Sequence, residues 1–129
     1  MIILALLGAL LGACLGSFLN VVASRSLAGE PWGGLSRSHC PHCGRELPWS
    51  ELIPLISFAL QGGRCRGCSR ALSWRYPAVE LLTALLLTQV YLRFGWSWAT
   101  IFWGAQTSLL IVISCIDLSR CIPGGKAYP

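Results

Sequence analysis

At 129 residues the chain has room for one ordinary domain, yet 54% of it is hydrophobic and only 12% is charged. A soluble protein carries about 25% charged residues, so this composition excludes an ordinary water-exposed fold. The formal net charge is +5, and where that charge sits says more than its size.

Residues 1 to 23, MIILALLGALLGACLGSFLNVVA, contain no charged side chain, and the one strongly polar residue, Asn20, falls near the end. The run exceeds the ~20 residues that cross a bilayer, and in hydrocarbon each backbone amide must bond inside its own segment, which predicts a helix. Gly8, Gly12 and Gly16 recur every four residues. They mark either a face for close helix approach or simply the composition of a membrane helix. A cleaved signal peptide is the competing reading, with Val21 and Ala23 as the small-residue site. The missing positive n-region argues against it, as does an apolar run beyond the usual h-region of about 7 to 15 residues.

Residues 24 to 76 form a polar loop with seven Arg (Arg25, Arg37, Arg45, Arg64, Arg66, Arg70, Arg75) against three Glu (Glu30, Glu46, Glu51). Positive charge stays inside, so the loop is expected on the cytoplasmic face. Within it lie two CxxC pairs, Cys40/Cys43 and Cys65/Cys68. Each pair can wrap one side of a tetrahedral ion, and Zn²⁺ with four sulfurs is the natural occupant. A reducing cytosol favours metal over disulfides. Gly44 follows the second ligand and Gly67 lies inside the second pair, where the chain must turn sharply and aim backbone N–H groups at sulfur. Arg45, Arg64, Arg66 and Arg70 offset the charge of a four-thiolate centre. His39 and His42 are substitute ligands that four cysteines leave without a position. A redox CxxC is disfavoured by the presence of two pairs without a βαβ pattern. Nucleic-acid binding by this basic loop is set aside because membrane spans flank it. Between the knuckles, LIPLISFAL reads either as a short helix on the membrane or as a strand pair over the metal.

Residues 77 to 94 and 98 to 116 are the second and third spans, joined by the short external turn 95 to 97. Trp74, Trp96, Trp98 and Trp103 lie near their ends, as expected at headgroup depth. Glu80 has three readings: a partner of Arg75, a partner of the loop, or an acid favoured by a helix N-terminus. Cys14 and Cys115 read as small apolar fillers, and Cys121 has no partner at ligand spacing. Residues 117 to 129 form a cytoplasmic tail that opens on Asp117, a carboxyl either kept for function or snorkelling to water. The fold class is thus an α-helical integral membrane protein: three transmembrane helices and a small cytoplasmic zinc-ribbon-like loop domain.

GSFLNVV at residues 16 to 22, the CxxC pairs, IPLISF, GGRCRGC, RYPAVELLT and IDLSRCIP together resemble the type IV prepilin leader peptidases, which are also N-methyltransferases. The resemblance implies a bacterial inner-membrane aspartic endopeptidase. It would cut leaders from type IV prepilins or type II secretion pseudopilins and methylate the new N-terminus with S-adenosylmethionine. It also implies zinc on Cys40, Cys43, Cys65 and Cys68, a methyltransferase-associated glycine at Gly63, and the first of two catalytic aspartates at Asp117. The family's second aspartate lies in a GxGD motif that these residues do not contain, and Gly124 and Gly125 stand where an Asp usually follows Ile-Pro. Aspartic proteolysis needs two carboxyls with opposed pKa values, so the chain alone is expected to be inactive. The expected product is an N-terminal, truncated portion, or half of a split enzyme whose complementary fragment brings the second aspartate. The alternative is a non-catalytic zinc-loop module, embedded in lipid, that binds pilus or secretion components. A stand-alone methyltransferase is a third reading, which lacks a Gly-rich nucleotide motif.

Overall fold

Long apolar runs become long helices here. The computed structural model describes residues 1–29, 31, 37–40 and 42–121. Helix α1 spans Ile2–Ala28, α2 Ile56–Leu60, α3 Arg75–Phe94 and α4 Trp98–Cys121, with a 3₁₀ turn at Trp49–Glu51. Three of them, α1, α3 and α4, are long and apolar enough to cross a membrane.

Two of these helices outrun the apolar stretches that define them. α1 continues past residue 23 because Ser24 and Ser26 turn their hydroxyls back onto the Asn20 and Val22 carbonyls, both at 2.8 Å, so their polarity is satisfied inside the helix. It stops at Gly29, whose φ of 70° lets its N–H return to the Arg25 carbonyl. α4 runs through Asp117 to Cys121, so Asp117 lies in a helical turn. Residues 122–129 lie outside the described residues.

The glycine stripe of α1 is a packing face within the chain. A Cβ on Gly12 would stand 2.7 Å from Ala84 Cα, and one on Gly16 2.8 Å from Glu80 Cα. Gly8 is looser, at 3.6 Å from the Thr88 hydroxyl. Glu80, Ala84 and Thr88 repeat the same four-residue step on α3, so two stripes meet in opposite directions and the backbones nearly touch. Leu19 and Ala23 of α1, Val79 of α3, and Ile111 and Cys115 of α4 close the core where the three helices meet. Arg75, at the start of α3, fastens the end of α4 by donating to the Cys115 carbonyl at 2.9 Å and to the Ser119 hydroxyl. Large apolar side chains such as Leu7, Leu11, Leu85 and Ile101 face outward, as a lipid-solvated surface requires.

Candidate metal centre

Two copies of one backbone device hold the cysteines. In the first knuckle, Cys40 N–H bonds to the Arg45 carbonyl and Gly44 N–H returns to the Cys40 carbonyl, both at 2.9 Å. In the second, Cys65 N–H bonds to Arg70 at 3.0 Å and Ser69 N–H to Cys65 at 2.9 Å. Each is closed by one antiparallel bridge at equivalent positions, His39 with Glu46 and Arg64 with Ala71. The shared fold needs a left-handed residue just after the second cysteine. Gly44 supplies it at φ 72°, but Ser69 supplies it in the second knuckle at φ 58°. Gly67 therefore serves another purpose than a positive φ. Its N–H points at Cys65 Sγ at 3.3 Å, and a Cβ there would lie 3.0 Å from Arg45 Cδ.

The device brings all four Sγ atoms of Cys40, Cys43, Cys65 and Cys68 within 4.8 Å of one another. Across the knuckles, Cys40 and Cys68 are 3.9 Å apart, and Cys43 and Cys65 4.0 Å. Zinc–sulfur bonds of about 2.3 Å in a tetrahedron put sulfurs about 3.8 Å apart, so the donor set fits a four-coordinate soft ion. The backbone N–H groups of Cys68 and Gly67 lower the Cys65 thiol to about 6, the thiolate a metal requires. At Cys43 the Arg45 backbone favours the thiolate, but desolvation and the three neighbouring sulfurs outweigh it and the pKa rises to about 11. His39 and His42 stay outside this set: His42 Nδ1 lies 3.5 Å from an Arg70 guanidinium nitrogen.

Arg45 is not simply a counter-ion for the sulfurs. It forks onto the buried Glu51 carboxylate at 3.1 and 3.4 Å, which raises the guanidinium pKa; the nearby Cys65 raises it further. The stretch between the knuckles resolves as a helix, α2, without strands. Phe58 on α2 meets Trp74 edge-to-face at 4.9 Å, beside the start of α3. Gly63, at φ 69°, passes directly under the Phe58 ring, where a Cβ would stand 3.1 Å from Cζ.

The loop is tied to the bundle by a polar contact that spacing does not announce. Leu55 holds φ 59° and ψ −47°, with Ile56 N–H bonded to the Pro54 carbonyl: a γ-turn of the rare positive-φ kind. Its own N–H donates to Glu80 Oε2 at 2.8 Å. Of the three readings of Glu80, the loop partner is the one realised. Asn20, buried on α1, donates to the Tyr76 carbonyl at 3.1 Å and joins the other side. Between loop, α1 and α3 lies a cavity of about 590 Å³, whose wall includes Asn20, Cys40, Glu51, Phe58, Gln61, Cys65 and Glu80. Asp117 is exposed and absent from that wall. On a helix turning 100° per residue it faces away from Cys115 and Ser119, which carry the contact to Arg75.

The fold and the sulfur cluster define a helical membrane-type protein with a four-cysteine loop that fits a metal ion. Residues 10–94 match the family described as Bacterial Peptidase A24 N-terminal domain, and the chain belongs to that family. It is 44% identical over 106 residues to the prepilin leader peptidase/N-methyltransferase of Myxococcus xanthus, covering 82% of this chain and 31% of that protein. The enzyme of the same name from Pseudomonas aeruginosa is 46% identical over 87 residues, covering 64% of this chain and 29% of its own. That of Neisseria gonorrhoeae is 36% identical over 93 residues, covering 71% and 32%. The chain thus spans about a third of the length of the curated relatives it matches. No solved structure matches.

Proposed function

We propose that this chain forms the metal-loop and first-aspartate portion of a prepilin leader peptidase/N-methyltransferase. The supporting observation is the four-sulfur cluster, built by paired knuckles and tied to the membrane helices through Glu80. The metal is structural zinc: four sulfurs leave no open position for substrate, so a bound ion would cross-link the knuckles and add folding free energy. The loop, 24 to 76, faces the cytoplasm with the end of α4, and 95 to 97 faces outward, in a bacterial inner membrane. Prepilin or pseudopilin is the substrate.

Asp117 is one of two carboxylates that divide acid and base work. Arg75, bonded to Cys115 and Ser119 on either side of it in sequence, fixes the turn that carries Asp117 and leaves its side chain facing outward toward a second group. That second carboxylate comes from a GxGD segment outside these residues, in the same or a complementary chain. Gly63 belongs to the methyltransferase function, for which S-adenosylmethionine supplies the electrophilic methyl group when bound. Here the Gly63 backbone and Phe58 shape the loop wall.

The test is cleavage of a prepilin in membranes containing this chain, with and without a co-expressed fragment carrying GxGD. Cleavage should require both, and Asp117→Asn should abolish it while Cys-bound metal remains. Cleavage that survives in Asp117→Asn removes this residue from the mechanism.

A further inference from the structure

The cavity beside the sulfur centre carries an argument of its own. Its volume of about 590 Å³ is that of a small-molecule site, and much of its wall is apolar, with Leu47, Leu52, Phe58 and Leu72. Two charges on the wall are paired: Glu51 with Arg45, and Arg37 with Glu46 at 3.5 Å. Arg25 donates to the Pro31 carbonyl. Glu80 stands apart from these pairs. It is 8% exposed and forms no ion pair among the described residues. Its carboxylate receives the Leu55 N–H, while a carboxylate offers about four acceptor sites. Across the cavity, Gln61 Oε1 is buried and no group among the described residues donates to it. An acceptor left so carries a desolvation penalty that a ligand N–H removes.

We infer that this cavity binds a sulfonium methyl donor of the S-adenosylmethionine class, with Glu80 facing its cationic end and Gln61 accepting from an amino group. The inference rests on the methyltransferase part of the reading above. It adds the place and the residues. Three features of the cavity lining match three features of such a molecule: a carboxylate without an ion pair for the cation, an unpartnered acceptor for N–H, and the Phe58 ring for a flat heterocycle. Gly63 enters the same scheme indirectly. Because a Cβ there would meet the Phe58 ring at 3.1 Å, a side chain at 63 would displace a ring that lines the cavity.

The experiment is equilibrium dialysis of labelled S-adenosylmethionine against the zinc-loaded full chain in lipid nanodiscs, with Glu80→Gln, Gln61→Leu and wild type in parallel. Zinc stoichiometry and thermal unfolding report whether each variant is folded. Binding should weaken about tenfold or more in each variant while zinc stays at one per chain. Glu80→Gln keeps an acceptor for Leu55, so it tests charge and not the loop contact. The neutral thioether product, S-adenosylhomocysteine, should bind more weakly than the sulfonium. Saturable binding that is unchanged in both folded variants, or no binding to wild type, overturns the assignment. Methylation of a mature pilin peptide, measured with the GxGD fragment co-expressed, separates the two levels. Methylation that persists with cavity binding absent rejects this site and leaves the family reading standing; no methylation at all rejects the reading.

Discussion

The bundle and the loop are held together by opposite means. Between α1 and α3 the contact depends on atoms that are missing: Gly12 and Gly16 let α3 approach until an added Cβ would sit 2.7 to 2.8 Å from its backbone. In the loop, four sulfurs converge from 40, 43, 65 and 68 in an arrangement that fits one ion. The difference follows from solvent. Lipid gives apolar helices no hydrophobic reason to associate, so close backbone packing supplies the attraction. The loop, residues 24 to 76, has few buried side chains among those described, and a unit this small is marginal on burial alone.

Removing the metal should separate these regions most sharply. Cys65→Ser should lower zinc from one to zero per chain and melt the loop, because structural zinc contributes about 10–16 kcal/mol of apparent folding free energy. Metal analysis and limited proteolysis between residues 37 and 72 measure this. Helical circular dichroism should stay close to wild type, since α1, α3 and α4 make their own contacts. Loss of bundle helicity together with the metal would mean that the two regions are one folding unit.

The converse perturbation targets the bundle alone. Gly12→Ala and Gly16→Ala should each destabilise the α1–α3 pair by about 1–3 kcal/mol through overpacking, with zinc content unchanged. Gly8→Ala is the internal control. With 3.6 Å to the nearest atom, it should be neutral or slightly stabilising, because alanine is the better helix former. Thermal unfolding in a fixed detergent distinguishes the three, and equal losses at all positions would show that the stripe is not the contact.

These two regions were also unequally readable from sequence. The CxxC pairs were legible because ligand spacing is local geometry, and the spans because length and apolarity decide them. The role of Gly12 and Gly16 was half legible: their spacing named a face but not the partner stripe of Glu80, Ala84 and Thr88. Spacing failed wherever a contact joins distant residues. Asn20 bonds to a carbonyl 56 positions away, and Glu80 to an amide 25 away. Glu51 and Gln61 became informative only when the loop folded over α1 and α3 to make the cavity. An acid inside a charge-poor helix was the one signal that pointed to Glu80. Gly67 does aim its N–H at sulfur as the turn suggested, but the positive φ of the second knuckle falls on Ser69, which spacing did not announce.

Where loop and bundle meet, a single contact can be cut. Glu80→Ala leaves the Leu55 N–H without its acceptor and the positive-φ turn without its clamp, an effect of about 1–2 kcal/mol. Hydrogen exchange at the Leu55 amide should quicken while the amides of Cys40 and Cys65 stay protected by their own knuckle bonds. Equal quickening at all three would show that Glu80 supports the whole loop and not just its junction.

The smallest effect lies within the loop, between its two knuckles. Their hydrogen bonds correspond pair by pair, yet one uses glycine and the other serine at the left-handed position. A side chain in that region costs about 1–2 kcal/mol, which Gly44→Ser should largely display. Ser69→Gly should recover less, about 0.5 kcal/mol or under, because the added glycine also loses more backbone entropy on folding. Competition with a zinc chelator reads both changes, since stability of the folded knuckle is linked to metal affinity. Opposite signs at the two positions, with the larger magnitude at 44, are the signature of a shared backbone. Same-sign effects would mean that Ser69 is held by something other than the geometry it shares with Gly44.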